Sequence, residues 1–123
     1  MAELAFIDKV AERTAVPEDT ARALTEGTLL TLAARISGGE AEDLADRVPD
    51  QLRPYLIKVT EPAVPFSYEE FMRRVAEHAG VDRETAERGV AAVLSALRET
   101  VGHKEFTDAM AQLPREFSQL VTT

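Results

Sequence analysis

Two pairs of acids, each set three residues apart, are the part of this sequence best suited to chemistry: Glu40 with Asp43, and Glu105 with Asp108. Residues i and i+3 share one face of a helix, so each pair presents two carboxylates to the same side. Four such groups drawn together could hold one or two divalent cations through oxygen, with His103 beside them as a nitrogen ligand. The same spacing has a plainer reading. Acids in the first turn of a helix complement its dipole and accept hydrogen bonds from its free N–H groups. A second candidate, for a small ligand, is Thr25 with Thr28. They interrupt an otherwise apolar stripe, so their hydroxyls either bond back to helix carbonyls or border a partly wet gap that a ligand could enter.

Nucleophilic catalysis has little to work with. The chain has no Cys, which excludes disulfides, thiolate metal sites and thiol chemistry. Ser67 and Ser95 lack the strand-turn-helix setting of an activated serine, and no glycine-rich loop is built to cradle a phosphate. His78 lies near a helix C-terminus and His103 in a turn, and neither has a nucleophile beside it in the sequence. No catalytic residue is identified, and no cofactor is implied.

Charge narrows the partners. The formal net charge is −8 in 123 residues. Residues 1–61 carry 12 acids against 7 bases, and residues 62–123 carry 10 against 7, so the halves contribute −5 and −3. Neither half supplies a basic face, which opposes direct binding to nucleic acid or an anionic membrane. Residues Met1–Val10 mix Glu3, Asp8 and Lys9 with apolar positions, and no apolar run approaches the length of a membrane span. The cytoplasm is the expected compartment. Hydrophobic residues at 45% and charged residues at 29% are the balance of a chain that folds.

The elements that must position the acids come in two sets. Shifting the sequence by 65 positions without a gap lays Phe6 on Phe71, Val10 on Val75, Val16 on Val81, Thr20 on Thr85 and Ala21 on Ala86. The register continues through Leu29 on Leu94, Leu32 on Leu97, Glu40 on Glu105, Asp43 on Asp108 and Pro49 on Pro114. Two repeats are too few for a solenoid. The expected fold is therefore all-α: one compact helical bundle over residues 1–123, made from two tandem copies of a four-helix unit related by a pseudo-two-fold axis. Copy one spans 4–56 and copy two 67–121. The linker 57–66 carries Pro62 and Pro65, which favour an extended connection, and its Val and Ile content suggests packing along the surface.

Within each copy the periodicity is helical throughout. The first helix carries Phe6 and Val10, or Phe71 and Val75. Ser67 and Glu70 have the spacing of a capping box, and Phe66 with Phe71 that of a hydrophobic staple. The helix they start ends at Gly80. The longest helices begin near Glu18 and Arg83 and are expected to stop at Gly38-Gly39 and at Gly102. Their stripes are Ala21, Thr25, Thr28, Leu29, Leu32, Ile36 and Ala86, Val90, Val93, Leu94, Leu97, Val101. A third helix follows, with Ala41, Leu44, Ala45, Val48 or Phe106, Ala109, Met110, Leu113. After Pro49 and Pro114 a final turn or two holds Leu52, Tyr55, Leu56 or Phe117, Leu120, Val121. Outer-face pairs such as Arg22 with Glu26 and Arg73 with Glu77 read as solvated i, i+4 contacts.

Leu32-Ala33-Ala34-Arg35-Ile36, Gly39-Glu40-Ala41-Glu42-Asp43-Leu44-Ala45 and Val48-Pro49-Asp50-Gln51-Leu52-Arg53 resemble the actinobacterial-type domain-of-unknown-function family 2267. So do Phe71-Met72-Arg73-Arg74-Val75-Ala76 and Ala111-Gln112-Leu113-Pro114. The likeness runs from about Leu4 to Val121 and rests on helix-end signatures. It implies a small bacterial helical protein with no assigned biochemical role, and carries over no catalytic residue. By elimination the expected function is a protein-interaction or stress-associated accessory module, with an unknown protein partner or self-association. The alternative is a divalent-metal or small-ligand-binding protein, hydrolytic in one version, using the acid pairs or the threonines. A third reading is an acidic mimic that fills a basic cleft.

Overall fold

Three helices in this chain start at a short polar side chain in extended backbone. The computed structural model describes residues 2–57 and 64–121. Ser67 accepts from the Glu70 N–H at 3.1 Å and opens α4 (Tyr68–Ala79), and Asp82 accepts from the Thr85 N–H at 2.8 Å and opens α5 (Arg83–Val101). The expected capping box at Ser67 is half formed, because the Glu70 carboxylate turns outward to Arg73 at 2.7 Å and Arg74 at 2.9 Å. The staple is present, with the Phe66 and Phe71 rings 6.3 Å apart. Ahead of these lie α1 (Ala2–Thr14) and α2 (Glu18–Arg35). Gly80 ends α4 in the left-handed region at φ 68°, and Ala15, 65 positions earlier, takes φ 56° after α1 without being glycine.

Three helix ends differ from expectation: the third helix of each set stops at Ala45 or Met110, leaving Val48 and Leu113 in the bends beyond, and α2 ends early. α2 stops at Arg35, not at Gly38-Gly39, and both glycines belong to the first turn of α3 (Gly38–Ala45). Ser37 sits in extended backbone and accepts from the Glu40 N–H at 3.3 Å, so it starts the next helix before the glycines can end the last. α6 (His103–Met110) follows Gly102 directly, with no side-chain cap. The final turns are a 3-10 helix, Asp50–Tyr55, containing Pro54, and α7, Glu116–Val121. Among the described residues there is no strand.

The predicted stripes are the core. Ala21, Thr25, Thr28, Leu29 and Ile36 are 0% exposed, as are Ala86, Val90, Val93 and Leu94. A single apolar cluster joins residues of both halves. α2 lies against α4, α1 against α5, α2 against α5 and α3 against α6. At the α2–α5 crossing Leu24 fills the space over Gly89, where an added Cβ would lie 2.6 Å from a Leu24 methyl. Arg35 ties three segments together, its Nε donating to the Phe66 carbonyl at 2.9 Å and its Nη1 to the Gln112 carbonyl at 2.7 Å.

Surface pairing is partly as expected. Arg73 meets Glu77 at 3.1 Å, but Arg22 turns to Glu3 at 2.6 Å rather than to Glu26, because α1 brings a carboxylate closer than the next turn does. Glu26 instead accepts from the Tyr55 hydroxyl at 2.9 Å. Of the predicted linker, residues 58–63 lie outside the described residues. The Val64 N–H donates to the Ala34 carbonyl at 3.0 Å, whereas Ile57 is 60% exposed. Among the described residues no helix is long and apolar enough to cross a membrane.

Candidate functional site

The contact of α3 with α6 brings the two acid pairs to one place. Each pair rides the first turns of its helix, and the helices face one another, so carboxylates 65 positions apart in sequence become neighbours. One oxygen from each of Glu40, Asp43 and Glu105 lies within 4.8 Å of the others. Asp108 is not one of these three, but its charge acts on Glu40, and its own carboxylate takes Lys104 at 3.0 Å. Arg47 approaches Glu105 at 3.7 Å. His103 is not among the three close ligands and lines a separate apolar cleft.

Glu40 is the unusual member. Its Oε2 is buried with no hydrogen-bond partner, although the residue as a whole keeps some exposure. Desolvation pushes its pKa above the ordinary carboxylate value. The nearby charges of Asp108, Asp43 and Glu105 add to the rise, and Lys104 opposes it. In a complete capping box the third-position carboxylate would reach back to the cap's own N–H. Here that place belongs to Gln112, whose Oε1 accepts from the Ser37 N–H at 2.7 Å while its Nε2 donates to Ser37 Oγ at 3.3 Å. Glu40 is thereby left facing the other acids. Sequence reasoning missed Gln112, Lys104 and Arg47; only Lys104, four residues before Asp108, left a local signal, as an i, i+4 pair.

The threonines divide. Thr25 Oγ1 donates to the Ala21 carbonyl at 2.8 Å, the back-bonding expected of it. Thr28 Oγ1 is buried without a partner. Neither lines the two clefts that flank the α3–α6 pair.

Those clefts sit at matching places. The first, about 240 Å³, is lined by Gly38, Glu42, Ala45, Asp46, Arg53, Leu56 and Ile57. The second, about 220 Å³, is lined by Arg98, His103, Phe106, Thr107, Met110, Ser118 and Val121. Gly38 and His103, Glu42 and Thr107, Ala45 and Met110, Arg53 and Ser118, and Leu56 and Val121 are each 65 positions apart. The linings differ: the first includes Glu42, Asp46 and Arg53, and the second is largely apolar with Arg98 and His103 among its residues.

An all-oxygen trio of carboxylates suits a hard divalent cation such as Ca²⁺ or Mg²⁺, while clefts of this size suit single side chains of a partner. No curated protein matches the chain. Residues 4–120 match the family model described as "Uncharacterized conserved protein (DUF2267)", and the chain belongs to that family.

Proposed function

We propose that this protein is an accessory binding module of the cytoplasm, a single domain of two pseudo-symmetric copies that engages a protein through the clefts beside α3 and α6. The observation that carries the reading is the pair of clefts itself, equivalent in position and different in lining. The packing supports the symmetry: α1 on α5 mirrors α4 on α2, and the equivalent residues Leu24 and Gly89 touch. Equivalent residues meet in this way only beside a two-fold axis, where two large side chains would collide. The Glu3–Arg22 ion pair has its counterpart in the Tyr68–Glu87 hydrogen bond at the same two positions. The test is co-purification from native cell extract with three baits: wild type, Met110→Asp in the apolar cleft, and Glu77→Lys on the outer face of α4. Partners held by wild type and Glu77→Lys and released by Met110→Asp are expected. The same set on all three baits, each with an unaltered circular dichroism spectrum, overturns the reading.

A second reading is favoured by the unpartnered Glu40 oxygen: a divalent cation held by Glu40, Asp43 and Glu105. A cation bound only to the native state stabilises it by about 2.7 kcal/mol at a hundredfold excess over its Kd. On this reading thermal melts with Ca²⁺, Mg²⁺ or Mn²⁺ rise with one ion, and Asp43→Asn and Glu105→Gln each remove the rise. Melts that do not move with any of the three leave Glu40 as a buried acid and nothing more.

A further inference from the structure

We propose that copies of this chain self-associate by seating Ile57 of one molecule in the α5–α6–α7 cleft of another. The proposal rests on the reading of that cleft as a binding surface and names its occupant. Phe106, Met110 and Val121 give the cleft an apolar floor, and its volume of about 220 Å³ exceeds the ~150 Å³ cavity known to accept a benzene ring. It is large enough for one branched aliphatic side chain. Ile57, at 60%, is the most exposed large apolar side chain among the described residues, ahead of Leu30 and Val64 at 42% and Leu4 at 40%.

Charge pairs the two surfaces. Ile57 shares its own cleft with Glu42, Asp46 and Arg53; Asp46 is paired with Arg53 at 3.3 Å, whereas Glu42 is exposed with no cationic partner among the described residues. Arg98 and His103 line the apolar cleft and are both exposed, and Arg98 has no carboxylate partner among the described residues. Among the described residues several other cations are taken, Arg13 by Glu99, Arg22 by Glu3, Arg73 and Arg74 by Glu70, Arg83 by Glu69 and Lys104 by Asp108, while Arg88 and Arg115 also lack a carboxylate partner but do not line this cleft. An apolar knob flanked by a free acid therefore matches an apolar hole flanked by a free base. The contact joins two different surfaces of the chain, so it either closes reciprocally or continues from copy to copy. A single side chain with a charged rim makes a small interface, and small interfaces are weak and transient.

Sedimentation velocity of the full chain, from micromolar to millimolar concentration, tests this. The weight-average coefficient is expected to rise with concentration, and to rise less at high salt. Ile57→Asp and Arg98→Glu should each weaken self-association by about tenfold or more. Glu42→Arg combined with Arg98→Glu should restore it, which loss of folding could not do, and Leu30→Asp should leave it intact. A wild-type chain that stays monomeric throughout overturns the proposal, as does Leu30→Asp being as damaging as Ile57→Asp. If wild type is monomeric while Met110→Asp still sheds co-purified proteins, self-association fails and the cleft's role as a binding surface survives; if both fail, both readings fall.

Discussion

Glu40 shows how a residue chosen for a local reason can acquire a distant one. Its place three residues after Ser37 is ordinary for a helix start, yet Gln112 occupies the hydrogen bond it would make, and the carboxylate is left among other acids. A carboxyl whose folded pKa is raised is neutral in both states well below its unfolded value of about 4.3, and there folding bears no charge penalty. The penalty appears as pH rises through the folded pKa. Glu40→Gln is therefore expected to leave stability unchanged in acid and to raise it near neutral pH, by at most about 1 kcal/mol, the scale of partly exposed charge contacts. Urea titrations at the two pH values check this, and a loss at neutral pH would mean the carboxylate is stabilising after all. Ala15 offers a second single-residue test. A non-glycine residue in the left-handed region costs about 1–2 kcal/mol, and glycine gives back part of that through its freedom in the unfolded chain. Ala15→Gly should raise stability by about 0.5–1 kcal/mol, read as a higher urea midpoint with an unchanged slope.

At the scale of elements, close approach of α2 and α5 depends on one large and one absent side chain. Gly89 in a helix interior costs about 1 kcal/mol of helix propensity relative to Ala. Its Cβ would nonetheless meet a Leu24 methyl at 2.6 Å in a fully buried setting, and overpacking of that kind costs about 1–3 kcal/mol. Gly89→Ala is expected to destabilise the wild type by about 1 kcal/mol and to stabilise a Leu24→Ala background. The change of sign in this double-mutant cycle is the diagnostic result; additive effects would mean the helices do not meet there. Helix starts show how far local sequence reaches. Ser67 was legible as a cap because the signal lies within one turn. Ser37 was obscured by the Gly-Gly after it, which read as a helix stop when the serine had already begun the next helix. Gly102 has no such cap, and at φ 93° and ψ 163° its backbone suits glycine alone, so a serine could not be placed there without strain.

For the whole molecule the question is whether either half can stand alone. The buried faces of α1 and α2 are covered by α5 and α4, and Lys9 and Arg13 cross between the halves to Glu99 at 3.1 and 2.8 Å. A chain of residues 1–57 alone exposes its stripe of Leu29, Leu32 and Ile36 and is expected to be poorly folded. A cooperative thermal transition of that half as a monomer would show two independent domains. In the intact chain Leu29→Ala and Leu94→Ala should each cost about 2–5 kcal/mol, the range for emptying a packed site. A loss under about 1 kcal/mol would contradict the burial of either residue.

What the sequence determined by itself is everything carried by near neighbours. Helical period, most helix ends, the buried stripes, the 65-residue spacing of like residues and the family likeness are all properties of short windows, because hydrogen bonds and side-chain rows in a helix join residues three or four apart. Thr25 bonding back to Ala21 belongs with these. The tertiary structure alone decided which carboxylates share a space, that one Glu40 oxygen is buried without a partner, and that Arg47 approaches Glu105. It also decided that His103 faces a cleft instead of the acids, and that Arg22 prefers Glu3. Coulombic and desolvation effects depend on distance and burial, and α3 meeting α6 sets both between residues that the chain itself holds 65 positions apart.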